Sequence, residues 1–163
     1  MNDSLKTALA QAICYGEDFK DREGGGVLMV DRETNESFSF IPITNSMAAT
    51  NRDKYLYVAD KDEYGKKVIP LIISCQFKPF ASFHTHPGNC STDPSYTDVS
   101  KLFMGFPINY IYSPTRKQLS CYEKMSNDEV RNIPRAELVL VELDASLDDE
   151  PFKIAWKKTD ITL

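Results

Sequence analysis

The chain has 163 residues, a formal net charge of −5, 42% hydrophobic residues and 26% charged ones. That is enough chain for a single domain, residues 1–163, with a sizeable core. The acidic balance and the scattered basic residues argue against nucleic acid as a partner, because phosphate binding needs a basic face. The densest basic pair, Lys157-Lys158, reads as a solvated face. The longest apolar stretch, Val68 to Cys75, is far short of a membrane span. The N-terminus carries no secretory pattern. Four widely spaced cysteines with no CxxC pair suggest reduced thiols and a cytoplasmic location.

In chain order, apolar residues at Leu5, Ala8, Leu9, Ala12, Ile13 and Gly16 predict an amphipathic helix over 4–20, with Asp3 or Ser4 capping its start. Gly24-Gly25-Gly26 breaks any helix. Val27–Val30 and Ser37–Ile43 then read as a hairpin around a DRETNE turn. Lys54–Ala59 (KYLYVA) reads as another strand. Residues 60–78 are ambiguous: Tyr64, Val68, Ile69, Ile72 and Cys75 fit a helical face, Gly65 and Pro70 weaken it, and Leu71–Ser74 could be a strand.

Further on, Pro79–His86 reads as a strand and Ser95 to about Met104 as a helix. Ile108–Tyr112 and Leu119–Tyr122 form a second hairpin. Ser126–Glu129 has a capping-box pattern, Ala136–Leu143 alternates as a strand, and Phe152–Trp156 reads as a last one. The sum is an α+β domain, a mixed sheet flanked by two to three helices. Trp156, Phe103, Phe106, Tyr110 and Tyr112 are expected to pack in the core. Cys14 and Cys75 sit on apolar faces and are expected there too.

The only two histidines, His84 and His86, stand one residue apart on the predicted strand. Residues i and i+2 of a strand share a face, so the two imidazoles lie side by side, with Thr85 opposite. Two neutral imidazoles are half of a tetrahedral zinc site, and Asp98 is the obvious candidate for a third ligand. His, His and Asp with one open position is catalytic-type coordination. Bland alternatives exist. An exposed strand can carry two histidines without purpose. Ser95-Tyr96-Thr97-Asp98 is a capping box in its own right, and Asp93 is a helix cap in front of Pro94.

Together these residues resemble the JAMM (MPN+) zinc metallopeptidases. The motif carrying the resemblance is a glutamate ahead of a glycine and an apolar strand (Glu23-Gly24-Gly25-Gly26-Val27-Leu28), then His84-Thr85-His86-Pro87, then Ser95-Tyr96-Thr97-Asp98. The predicted order of elements matches over roughly residues 5–125. One spacing departs from the pattern: eight residues, Pro87 to Pro94, separate His86 from Ser95, where seven are usual.

The resemblance implies the JAMM/MPN, cytidine-deaminase-like architecture. It implies that His84, His86 and Asp98 hold Zn2+, that Glu23 is the general base and that Ser95 stabilises the oxyanion. It also implies hydrolysis of a peptide or isopeptide bond next to the C-terminal tail of ubiquitin or a ubiquitin-like protein. A compact chain of this kind is consistent with a bacterial or phage-encoded member, including one in antiphage defence.

Two other classes compete. Metal-free members of the family serve as non-catalytic binding scaffolds, but they lack one or more of the four positions, all of which are present here. A thiol enzyme would use Cys90 with a nearby histidine. Cys90 could otherwise be a fourth ligand that blocks the open position, or an inert loop thiol.

Overall fold

The computed structural model describes residues 1–126, 129, 133–134, 137–143 and 152–163. Helix α1 (Asp3–Gly16) is followed by β1 (Gly25–Asp31) and β2 (Phe38–Ile43). Two short helices come next, α2 (Lys61–Lys67) and α3 (Ile69–Ile73), then β3 (Phe77–Thr85). A helical run over 96–105 includes a π-type turn at Asp98–Leu102. The strands β4 (Ile108–Ser113), β5 (Gln118–Met125), β6 (Leu138–Leu143) and β7 (Phe152–Ile161) complete the chain. The fold is α+β, as the sequence predicts.

All seven strands form one mixed sheet in the order β2-β1-β3-β4-β5-β7-β6. Every neighbouring pair is antiparallel except β3 and β4, which are parallel. A parallel pair needs a crossover, and residues 86–107 supply it. β1 lies tightly between its neighbours: a Cβ on Gly25 would meet the Phe83 carbonyl, and one on Gly26 the Ile41 carbonyl. The glycine run thus brings backbones close together, whereas the helix itself has already ended at Gly16.

The two-residue period of the strands sorts side chains to two cores. Leu28, Ala81, Phe83, Tyr110, Tyr112, Leu119 and Cys121 face α1 and pack against its Ala8, Leu9 and Ala12. On the other face, Val27, Met29 and Ile43 pack with Val68, and Ile111, Tyr122 and Trp156 pack with Val99 and Phe103 of the crossover. The sheet is therefore covered on both faces, and Trp156, Phe103, Tyr110 and Tyr112 are core residues as expected. Phe106 packs partly buried against the core of α2 and α3.

Several expectations are corrected. Asn2, not Asp3 or Ser4, caps α1 by accepting from the N–H groups of Ser4 and Leu5. Lys54–Ala59 is no strand; only Ala59 makes an isolated bridge, to Asn45. The Asn45 side chain takes the place of a neighbouring strand: its Oδ1 accepts from Val58 N–H at 3.1 Å and its Nδ2 donates to the Leu56 carbonyl at 2.8 Å. Residues 60–78 resolve into two helices split at Val68, with Pro70 in the first turn of the second, where its missing N–H costs nothing.

Cys14 and Cys75 are exposed, not core. Cys14 lies off the buried stripe of α1, and Cys75 occupies a positive-φ turn (58°) before β3. All four cysteines are free. Lys158 is not merely solvated but pairs with Asp93 at 2.7 Å. Of the predicted Ser126–Glu129 capping box, Glu129 does accept from Ser126; Asn127 and Asp128 lie outside the described residues, as does Ala136. Among the described residues, no helix is long and apolar enough to cross a membrane.

Candidate metal centre

Along β3, Ala81 and Phe83 face α1, so Ser82 and His84 face the opposite side. His86 lies just beyond the strand end, tied back by its N–H to the Tyr112 carbonyl at 2.9 Å. The crossover then returns Asp98 to the same place. The two Nε2 atoms stand 3.2 Å apart. The Asp98 carboxylate straddles them, with Oδ1 at 3.4 Å from Nε2 of His84 and Oδ2 at 3.2 Å from Nε2 of His86. All three side chains are buried. They form the one group of convergent His, Cys, Asp and Glu atoms found among the described residues, with ligand atoms within 4.8 Å of one another.

This group could hold a metal ion. Bonds of 2.0–2.1 Å in a tetrahedral site put neighbouring ligand atoms about 3.3 Å apart, close to the separations here. Tautomers fit as well. Nδ1 of His86 faces the Ser91 carbonyl at 2.8 Å. A carbonyl can only accept, so Nδ1 carries the hydrogen and Nε2 keeps its lone pair for the common centre. The His84 ring is held by packing: Tyr57 stacks on it with planes 9° apart and centroids at 6.3 Å, while Nδ1 has no partner.

Asp98 is at once a helix cap and a member of the convergent group. Ser95 N–H donates to Oδ2 at 2.7 Å, and Asp98 N–H donates to Ser95 Oγ at 3.1 Å, a complete capping box. The same carboxylate faces the imidazoles. Asp93 is not the cap; it accepts from Ser91 Oγ and from Lys158. Burial alone would raise the Asp98 carboxyl, but His84 and His86 outweigh it and hold it well below the ordinary carboxylate range. In His86, burial pulls the pKa down and Asp98 more than compensates, so the net shift is upward.

Glu23 arrives from the other side. It precedes β1, its N–H donates to the Asp53 carbonyl, and its own carbonyl accepts from Asn45 Nδ2 at 3.0 Å. Next to it, Gly24 exchanges hydrogen bonds with Thr85, between the two histidines. The Glu23 side chain is buried, and its Oε2 has no hydrogen-bond partner. Burial raises its pKa to about 7 against the opposing pull of His84 and His86, with Asp98 adding to the rise. Glu23 and His86 line one cleft of about 370 Å³ together with Tyr55, Cys90, Ser91 and Ser95. Cys90 is thus at the cleft, but outside the convergent ligand group.

All five residues singled out in the sequence therefore occur in one neighbourhood. The His86–Ser95 segment is a loop in which Gly88 adopts φ 61°. Sequence reading missed Tyr57, Asn45, Asp53 and the Ser91 carbonyl. Only the Tyr55–Tyr57 alternation hinted at Tyr57, and it was assigned to a strand.

No protein-family model matches the chain, and no curated protein matches it in sequence.

Proposed function

We propose that the chain is a zinc-dependent metallopeptidase of JAMM type that releases ubiquitin or a ubiquitin-like protein by hydrolysing a peptide or isopeptide bond. The observation that supports it best is a buried carboxyl, Glu23, whose Oε2 has no hydrogen-bond partner, beside a site where two imidazole nitrogens and a carboxylate converge. A structural site would have no use for it.

Bound by His84, His86 and Asp98, zinc would polarise a carbonyl and make water nucleophilic near neutral pH. The chain's own residues do the rest. Glu23, with a pKa of about 7, is matched to accept a proton from the attacking water and return it to the leaving amine at neutral pH. Ser95 Oγ accepts from Asp98 N–H, which leaves its own O–H free to donate to the developing oxyanion. Tyr55, 81% exposed at the cleft, offers an aromatic surface to an extended tail.

The test is incubation of the purified protein, with and without a chelator, with ubiquitin chains and candidate ubiquitin-like conjugates. Chelator-sensitive release of an intact modifier is expected. A protein that binds about one zinc per chain and cleaves nothing would return the fold to a binding role. Activity that survives the chelator but not Cys90→Ala would establish a thiol mechanism.

A further inference from the structure

We infer that Thr92, Ser113 and Tyr122 are positioning residues for the metal centre, acting on His86 through the Ser91 carbonyl. The inference rests on the metal-site reading above. It concerns residues 87–95, which form no strand or helix and yet supply the hydrogen-bond partner of His86 Nδ1. An untethered loop would set that carbonyl loosely, and the ring with it.

The loop is tethered on both sides of Ser91. Before it, the Cys90 carbonyl accepts from Ser113 Oγ, at the end of β4, at 2.9 Å. After it, the Thr92 carbonyl accepts from the Tyr122 hydroxyl on β5 at 2.8 Å. The Thr92 side chain adds a third tie, with Oγ1 at 2.6 Å from Ser120 Oγ. Ser120 Oγ is in turn 2.6 Å from Asp160 Oδ1 on β7. Ser120 donates its hydroxyl hydrogen to Asp160, so its oxygen is left to accept the hydrogen bond of Thr92. The chain of donors runs in one direction, from the loop into the sheet.

Thr92, Ser113, Ser120 and Tyr122 are all 0% exposed. Burying four hydroxyls is costly unless each is satisfied, and here each bond falls on the residues flanking one carbonyl or on a partner of those residues. The sheet thereby sets the position of the Ser91 oxygen, the oxygen sets the imidazole, and the imidazole presents Nε2. A partner that hydrogen-bonds a ligating histidine directly, as the Ser91 carbonyl would, typically matters 10–100-fold in affinity, and residues that only hold that partner matter less.

Tyr122→Phe deletes only the O–H and leaves the ring packed against Phe103, 5.4 Å away. Zinc affinity is measured by competition with a chromophoric chelator, and the visible spectrum of the Co2+-loaded protein reports coordination geometry. Tyr122→Phe and Thr92→Val are expected to weaken zinc binding severalfold, up to about 10-fold, and to alter the cobalt spectrum. Ile43→Val, which thins the core under α2 and α3, lowers stability but leaves both readouts unchanged. Ser113→Ala serves as the substitute variant if Tyr122→Phe fails to fold.

Unchanged affinity and spectrum in the folded variants would overturn the clamp while leaving the metal centre intact. An equal loss in Ile43→Val would reduce the clamp to general stability. Wild-type protein that takes up neither Zn2+ nor Co2+ would overturn the metal centre itself and the clamp with it.

Discussion

Ser95 and Asp98 hold each other by two hydrogen bonds, backbone to side chain in both directions, at 2.7 Å and 3.1 Å. The pair starts the crossover helix and fixes the carboxylate that faces both histidines. Ser95→Ala keeps the Ser95 N–H bond to Oδ2 but loses the hydroxyl that accepts from Asp98. Loss of such a cap costs about 1 kcal/mol. Loss of an oxyanion donor costs about 100-fold in kcat. The expected outcome is a small drop in melting temperature, near-full zinc content and a far larger drop in turnover, read by denaturation, metal analysis and kinetics on one preparation.

Glu23 lies outside the ligand group. Glu23→Gln is expected to bind zinc as tightly as the wild type and to hydrolyse nothing measurable. Its melting temperature should not fall, because the substitution replaces a buried carboxyl whose Oε2 has no partner. His84→Ala and His86→Ala, by contrast, lose metal and activity together. Zinc content per chain, measured for each variant without a histidine tag, separates the two classes.

Trp156 carries much of the packing beneath the crossover. It is fully buried and meets Phe103 edge-on at 4.9 Å. Trp156→Ala is expected to cost about 3–5 kcal/mol in chemical denaturation. Since Val99 and Phe103 belong to the same cluster, it should also loosen the Asp98 turn and lower zinc affinity.

Glu63 ties α2 to the end of β2, accepting from Thr44 N–H at 2.9 Å and from Lys67 at 2.5 Å. Burial would raise its carboxyl, but Lys67 and Thr44 prevail and bring it down to about 2. A carboxyl depressed in the folded state contributes stability above its unfolded value of about 4.3 and loses that contribution as pH falls toward the folded value. Wild-type protein should therefore lose melting temperature between about pH 4 and pH 2 more steeply than Glu63→Gln. Parallel slopes for the two proteins would contradict this.

Much of the fold was legible because alternation and turn chemistry are local. β1, β2, β3 and the β4–β5 hairpin follow the predicted segments within a few residues. The histidine pair and Asp98 were legible because strand period and a capping pattern place them. Lys54–Ala59 failed for a physical reason: a single side chain, Asn45, provides the partners that a neighbouring strand would have given, and no pattern within the segment records that. The Ser91 carbonyl was invisible for the same reason, since backbone atoms carry no sequence signature. The placement of Glu23 depends on Asp53 and Asn45, which hold its backbone from more than 20 positions away.

The sheet order has a consequence for how the molecule is assembled. β6 is made before β7 but pairs only with it, at the margin beyond β5 and β7. During synthesis it must wait for a later stretch of chain before it has a partner. That later stretch also brings Trp156 and Lys158 to the crossover and its loop, and Asp160 to Ser120, the partner of Thr92. A ribosome-bound fragment ending ahead of β7 already contains Glu23, His84, His86 and Asp98, but lacks the strand that braces them. The bracing of the candidate centre is thus deferred until β7 has emerged.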